Sequence, residues 1–281
     1  MKLSLSTHLF VFHPLDEAIV RLFPRFGFAN AELWGMPPHF PAGDADAGDA
    51  LAALLSRHGV TAASVHSPLY PDVRSYRTDR WYSLCSEDEA HRLESVAATI
   101  RSADYLARHG GGVVVLHTSF PSEQVFPHRW HAFLDSLDAL CAALPDSVRF
   151  AVENTPGEST RTGKIVELIE RYPADRVGIC LDLAHAHMQG SVLNAIRFAG
   201  PRLIHVHASD NHGVRDDHLV PGRGGIAWEP VISALQEVGF DGMFTLELRD
   251  YTTGEDARYG SFDEILTECG GMLDRLFGGS R

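Results

Sequence analysis

Residues 204–228 read "IHVHASDNHGVRDDHLVPGRGGIAW", with four histidines and three aspartates in 25 positions. The opening "IHVHA" alternates as a strand does, so His205 and His207 point to one side and Ile204 and Val206 to the other. His207 lies nearer the C-terminal end of that strand. The rest is a polar, glycine-rich loop ending at Trp228. Working outward, the same form recurs: "KLSLSTHLF", "NAELWG", "TAASVHSP", "GVVVLHTS", "VRFAVENTP", "VGICLDLAH", "LIHVHASD" and "GMFTLELRD" make eight strand candidates. Amphipathic runs separate them. "SEDEAHRLESVAATIRSADYLARHG" predicts a helix with a capping box of Ser86 and Glu89, an apolar face of Leu93, Val96, Ala97, Ile100 and Leu106, and a stop at Gly110. "GSFDEILTECGGMLDRLF" starts in the same way with Ser261 and Glu264, and Pro24 should kink or end the first helical run.

Eight strand–helix alternations in 281 residues predict an α/β fold, a (β/α)8 TIM barrel, which typically needs ~250 residues. The competitor, a doubly wound open sheet, wants a glycine-rich turn after its first strand, and "STHLFVFHP" has none. With no linker, repeat or low-complexity tract, residues 1–281 read as one domain.

Composition narrows the function. A net charge of −13 with no Lys/Arg-rich block argues against a generic grip on nucleic acid. The four cysteines, Cys85, Cys141, Cys180 and Cys269, are far apart and lack CxxC spacing, so they read as cytoplasmic thiols. No run approaches ~18 apolar residues, so no membrane span is expected.

The polar residues that close the strands matter most. They are His66 on the third, His117 on the fourth, Glu153 and Asn154 on the fifth, and Asp182 followed by His185 and His187 on the sixth. The seventh supplies His205, His207 and Asp210, its loop adds His212, Asp216, Asp217 and His218, and the eighth supplies Glu247, Arg249 and Asp250. Strand C-terminal ends meet at one mouth of such a barrel. Alternation puts Glu153, Asp182 and Glu247 inside, where three carboxylates repel one another unless a cation lies among them. With His207 they form a mixed O/N set suited to Mn2+, Zn2+ or Co2+. Asp216 and His218 either bind a second metal or brace the loop; His185 is placed to share a metal with Asp182. His8, His13, His39, His91, His109, His128 and His131 show no convergent pattern and are expected on surfaces or loops.

"AELWG", "VHSP", "ENTP", "LDLAHAH", "HVHASDN", "DDHLVPGRGGIAW" and the late "LEL" occur in the order found in the xylose isomerase-like TIM-barrel superfamily, and the chain resembles its sugar-phosphate isomerase/epimerase branch over nearly its whole length. The resemblance implies one divalent metal on Glu153, Asp182, His207 and Glu247. It also implies that Glu153 and Glu247 exchange protons with substrate. Endonuclease IV, a relative with three zinc ions, has nine ligand positions. These correspond here to His66, His117, Glu153, Asp182, His185, His207, Asp216, His218 and Glu247, so between one and three ions are expected. The implied activity is isomerisation or epimerisation of a small sugar, polyol ketone or sugar phosphate, by proton transfer through a metal-stabilised enediolate. A multinuclear zinc phosphoesterase, acting on abasic DNA or another ester, and a non-catalytic metal- or sugar-binding barrel are the alternatives. Trp34 and Trp228 are candidate apolar walls, and His66 and His185 candidate substrate contacts. Arg74, Arg77, Arg215 and Arg223 are candidates for holding phosphate or hydroxyls. A homo-oligomer is left open.

Overall fold

The computed structural model describes residues 1–75, 80–118 and 129–278. Its strands are β1 (Lys2–Ser6), β2 (Asn30–Trp34), β3 (Thr61–His66), β4 (Gly112–His117), β5 (Val148–Glu153), β6 (Val177–Asp182), β7 (Leu203–Ala208) and β8 (Met243–Leu246). All pair in parallel, in sequence order, into a closed barrel. β8 closes it against β1, with Lys2 opposite Met243 and Leu5 opposite Leu246. Helices between the strands include α3 (Ala45–Arg57), α4 (Glu89–Arg108), α5 (Arg129–Ala143), α6 (Thr162–Ile169), α7 (Leu183–Met188), α8 (Val192–Ala199), α9 (Trp228–Glu237) and, after β8, α10 (Phe262–Phe277). This is the (β/α)8 TIM barrel expected.

Strand alternation divides the work. Leu33, Val65, Val114, Leu116, Phe150, Val152, Ile179, Leu181, Val206 and Phe244 join the main hydrophobic core with the helices. Each such buried side chain contributes about 1.5–3 kcal/mol. The alternate positions carry buried polar groups: Ser4, Glu32, Ser64, His66, Glu153, Asp182, His205, His207, Thr245 and Glu247. Barrel interiors are usually filled by bulky branched residues. Here only a small cluster of Val113, Val115, Ala151 and Cys180 does so. The outer layer stabilises the fold, and the interior is given to charge.

Two irregularities tune that interior. Pairing between β2 and β3 jumps from Ala31–Ala62 to Glu32–Ser64, and between β6 and β7 from Ile179–Leu203 to Cys180–His205. Each extra residue bends its strand and re-aims the side chain that follows.

Local expectations were met unevenly. Pro24 does interrupt the first helix, which runs as α1 (Glu17–Val20) and α2 (Leu22–Arg25), because proline has no N–H to offer the Val20 carbonyl. Ser261 caps α10 by accepting from the Glu264 N–H at 3.3 Å. The cap of α4, however, is Asp88, whose carboxylate accepts from the Ala90 and His91 N–H groups; Ser86 instead accepts from the Asp88 N–H at 3.2 Å. The buried face of α4 is also rotated from the expected one. Leu93 is exposed, while Ser95, Val96, Thr99, Ser102, Ala103 and Leu106 are buried. Small side chains let the helix approach closely enough for Ser102 Oγ to donate to the Gly35 carbonyl at 2.9 Å. β1 stops at Ser6, and Thr7–Phe10 forms a 3-10 turn rather than more strand. Among the described residues, no helix is long and apolar enough to cross a membrane.

Candidate metal centre

The C-terminal ends of β3 to β8 bring their polar residues together, and backbone groups set how each imidazole faces. His66 Nδ1 donates to the Ser67 carbonyl (2.8 Å), His185 Nδ1 to the Asn154 carbonyl (2.8 Å) and His218 Nδ1 to the Glu247 carbonyl (3.1 Å). A carbonyl only accepts, so Nδ1 carries the hydrogen in all three and Nε2 is presented to the pocket. His66 Nε2 lies 3.5 Å and His117 Nε2 3.1 Å from Glu153 Oε2. Asp216 Oδ2 lies 3.1 Å from His185 Nε2 and 3.0 Å from His218 Nε2. His207 faces the other way. Its Nδ1 is 3.2 Å from Glu247 Oε2 and 3.4 Å from Glu153 Oε1, and its Nε2 is 3.1 Å from Glu32 Oε1.

Neighbouring elements hold the carboxylates just as firmly. Asp182 caps α7, with one oxygen accepting from the His185 N–H at 2.6 Å. The Asn154 amide bridges to the Asp182 backbone at both its N–H (2.7 Å) and its carbonyl (3.0 Å). In the long loop after β7, Asp210 accepts from the Gly222 N–H (2.8 Å) and from Trp228 Nε1–H (2.9 Å). Gly224 has to be glycine, since a Cβ there would lie 2.3 Å from Asn211 O and from an Asp210 carboxylate oxygen. His218 has a φ of 46° and is the single described non-glycine residue with positive φ. That backbone costs about 1–3 kcal/mol and is held by the two hydrogen bonds of its ring.

One donor atom from each of Glu153, Asp182, His207 and Glu247 lies within 4.8 Å of the others, and His66, His117 and Glu153 form a second such group. Cys180, His205 and His207 form a third such group, and His185 and His218 cluster around Asp216 by the distances above. Among the described residues, Glu153 Oε2, Asp182 Oδ2, Asp216 Oδ1, His66 Nε2 and His207 Nδ1 are buried without a hydrogen-bond partner. Buried polar atoms are seldom left so. Buried nitrogen and carboxylate atoms gathered in such groups are the donor set a divalent cation requires.

Without a cation, protons take its place. Burial opposes an imidazolium at His218, but Asp216, Glu247 and Asp182 outweigh it and raise its pKa to about 10. Burial likewise opposes charge on His185 and His207, yet Asp182 and Asp216 at the first, and Glu247, Glu32 and Glu153 at the second, hold both well above the ordinary range. Burial raises Asp182 to about 6, with Glu153, Asp216 and Glu247 adding to it against the pull of His185. For Glu247 burial is outweighed by His207 and His218, which lower it to about 2.

Other candidates fall in different places. Trp34 lines the mouth, stacked on His66 with ring centroids 4.0 Å apart. Trp228 does not. It starts α9, is buried in the main core and packs edge-on against Phe244. Its N–H is used by Asp210, so it fixes the loop rather than walls the pocket. Arg223 also leaves the site, pairing with Glu268 on α10. Arg215 pairs with Asp217 at 2.7 Å, Arg74 is exposed, and Arg77 lies outside the described residues. Trp228→Ala is therefore expected to cost about 3–5 kcal/mol in denaturant unfolding. Arg223→Ala should leave cation binding as it was, which dye competition would check.

Two site residues escaped the sequence reading. His8, expected on the surface, sits at the mouth with its ring centroid 4.5 Å from Trp34 and 5.1 Å from His218. Burial, His218 and His66 lower its pKa to about 4. Glu32 is fully buried beneath His207. Its signal was present, since "AELW" has the same apolar-flanked glutamate as "FAVEN" and "FTLEL". His39, expected on a surface or loop, does lie in the turn after β2 but is buried there, with Nδ1 donating to the His13 carbonyl at 2.7 Å.

The pattern shared by xylose isomerase-like TIM barrels matches residues 20–264. The chain belongs to that family. Among its xylose isomerase-like relatives, Rv0498 of Mycobacterium tuberculosis (strain ATCC 25618 / H37Rv) is 30% identical over 88% of this chain and 89% of its own length. Fructoselysine 3-epimerase of Escherichia coli O157:H7 is 23% identical over 84% of this chain and 86% of its own. Two further curated relatives are matched over only 50% and 65% of their lengths. The crystal structure of the IOLI protein with a bound zinc atom superposes with a TM-score of 0.78, covering 100% of this chain and 99% of that one. At 19% identity that likeness speaks for the barrel alone.

Proposed function

We propose that the protein is a divalent-metal-dependent isomerase or epimerase of a small sugar, polyol ketone or sugar phosphate. One observation carries the reading: Glu153 from β5 and Glu247 from β8 flank the same buried His207 nitrogen, at 3.4 and 3.2 Å, with Asp182 beside them. Its kinship with fructoselysine 3-epimerase supports the same class.

Glu153, Asp182, His207 and Glu247 would hold the cation. Bound there, a Mn2+, Zn2+ or Co2+ ion supplies Lewis acidity to a substrate carbonyl and its neighbouring hydroxyl. The two glutamates do the proton work. One carboxylate takes the hydrogen of the carbon next to the carbonyl as a proton. The other, protonated from solvent beforehand, gives its proton to that carbon from the opposite side, or to its neighbour; the first then passes its proton to solvent, so no atom is gained or lost. Held below the ordinary range, Glu247 is ionised and ready to accept. Trp34 offers an apolar wall to the sugar's C–H face, and His66 and His185 lie where hydroxyls would bind.

The test is hydrogen exchange. Metal-loaded protein, offered ketoses, aldoses, inososes and their phosphates in D2O, should incorporate deuterium into at least one of them or yield its epimer. A panel that shows neither overturns the reading. A second reading, a multinuclear phosphoesterase, is favoured by the two further clusters, His66–His117–Glu153 and His185–Asp216–His218. Nicking of a duplex containing an abasic site, lost in His66→Ala and His218→Ala, would choose it instead.

A further inference from the structure

Below the candidate cation site lies a carboxylate for which the proton-transfer scheme has no use. Glu32 is 0% exposed in the middle of β2, inside the barrel. Its Oε2 accepts from Ser64 Oγ at 3.0 Å and from His207 Nε2 at 3.2 Å, and His205 Nε2, which also meets Thr245 Oγ1 at 3.1 Å, lies 2.9 Å away. Among the described residues, no lysine or arginine pairs with it. A buried carboxylate is costly unless its hydrogen-bond donors satisfy it. The barrel nevertheless departs twice from regular pairing around it: the jump at Ala63 seats Ser64 opposite Glu32, and the jump at Ile204 re-aims the strand just before His205.

The geometry of His207 suggests what this placement achieves. His66, His185 and His218 each have Nδ1 tied to a backbone carbonyl and present Nε2. Among the described residues no carbonyl engages the His207 ring; Glu32 takes its Nε2, and Nδ1 is turned toward Glu153 and Glu247. A carboxylate only accepts, so the hydrogen that a neutral His207 retains sits on Nε2 and its lone pair on Nδ1. A carboxylate behind a liganding imidazole also makes that imidazole more basic and stops the ring from turning. We infer that Glu32 is a positioning residue: it orients His207 so that Nδ1 is delivered to the cation, and it sets how tightly the cation is held. The inference rests on the metal-dependent reading above.

Metal-free wild type, Glu32→Gln and Glu32→Ala would be titrated with Co2+ against a chromophoric chelator, with the visible Co2+ absorption recorded alongside. Near-ultraviolet circular dichroism would report folding. Both variants should bind the tightest Co2+ about 10- to 100-fold more weakly, with an altered absorption band. Glutamine, whose amide oxygen can still accept from Ser64 and His207 in place of Oε2 but carries no charge, should lose less than alanine. Ser64→Ala removes another partner of Glu32 and no contact to His207, so its affinity should stay close to wild type. A folded Glu32→Gln or Glu32→Ala with wild-type affinity and spectrum overturns the inference and leaves the metal reading standing. Wild type that binds no Co2+ or Zn2+ overturns the metal reading itself. A second measurement needs no variant: nitrogen-15 NMR of histidine in the Zn2+-loaded wild type should show His207 with its hydrogen on Nε2. Hydrogen on Nδ1 would refute the assignment.

Discussion

Glu247→Gln is expected to lower turnover by ~10²–10⁴-fold on whichever substrate the deuterium screen finds, while much of the bound cation remains. An amide oxygen still coordinates, but it is a poor base. Glu153→Gln should lose at least as much turnover and more of the cation. Glu153 is the more connected of the two, facing His66 and His117 with one oxygen and His185 and His207 with the other. Among the described residues, Glu247 pairs with His207 and His218. The pair therefore separates proton transfer from binding: the cleaner catalytic defect belongs to Glu247 and the mixed one to Glu153. Steady-state rates and metal content measured on the same preparations would show it. Full activity in either variant would remove that residue from the proposed mechanism.

The contrast between these glutamates and Glu32 shows how much of the site was legible beforehand. "FAVEN", "FTLEL" and "AELW" share one form, an acid among apolar residues in a strand. The first two were recognisable as interior because each stands at a strand's end, where a barrel opens. Glu32 stands mid-strand, and only the skipped residue in β3, invisible in the sequence, brings it against Ser64. The eight strands were readable from alternation alone, because outward and inward residues differ so sharply in polarity. Trp228 was misplaced for the opposite reason. A tryptophan beside a glycine-rich loop resembles a substrate wall until Asp210, eighteen residues earlier, is seen to hold its N–H. His8 needed the 3-10 turn at Thr7–Phe10, which folds back what reads as continuing strand.

The same crowding of charge makes cation binding a proton-linked event. In the metal-free protein His185, His207 and His218 are all held above the ordinary imidazole range, His218 to about 10. A cation in the proposed site would need the lone pair of His207, and those of His185 and His218 only if their cluster with Asp216 takes an ion as well, so protons would have to leave on binding. The sign follows from competition: acid favours the protonated free form and weakens binding, whereas alkali strengthens it. Affinity should change on the order of 10-fold per pH unit for each proton released. On acidification below about 6 the dependence should steepen, because Asp182 then takes up a proton as well. Zn2+ titration calorimetry at one pH, in buffers of different ionisation enthalpy, measures the number directly. We expect about one or more protons released per ion at about pH 7, and fewer in His218→Ala if its cluster with His185 and Asp216 takes an ion of its own. Heats that do not change with the buffer would mean that no proton leaves, and that these imidazoles do not ligate the cation.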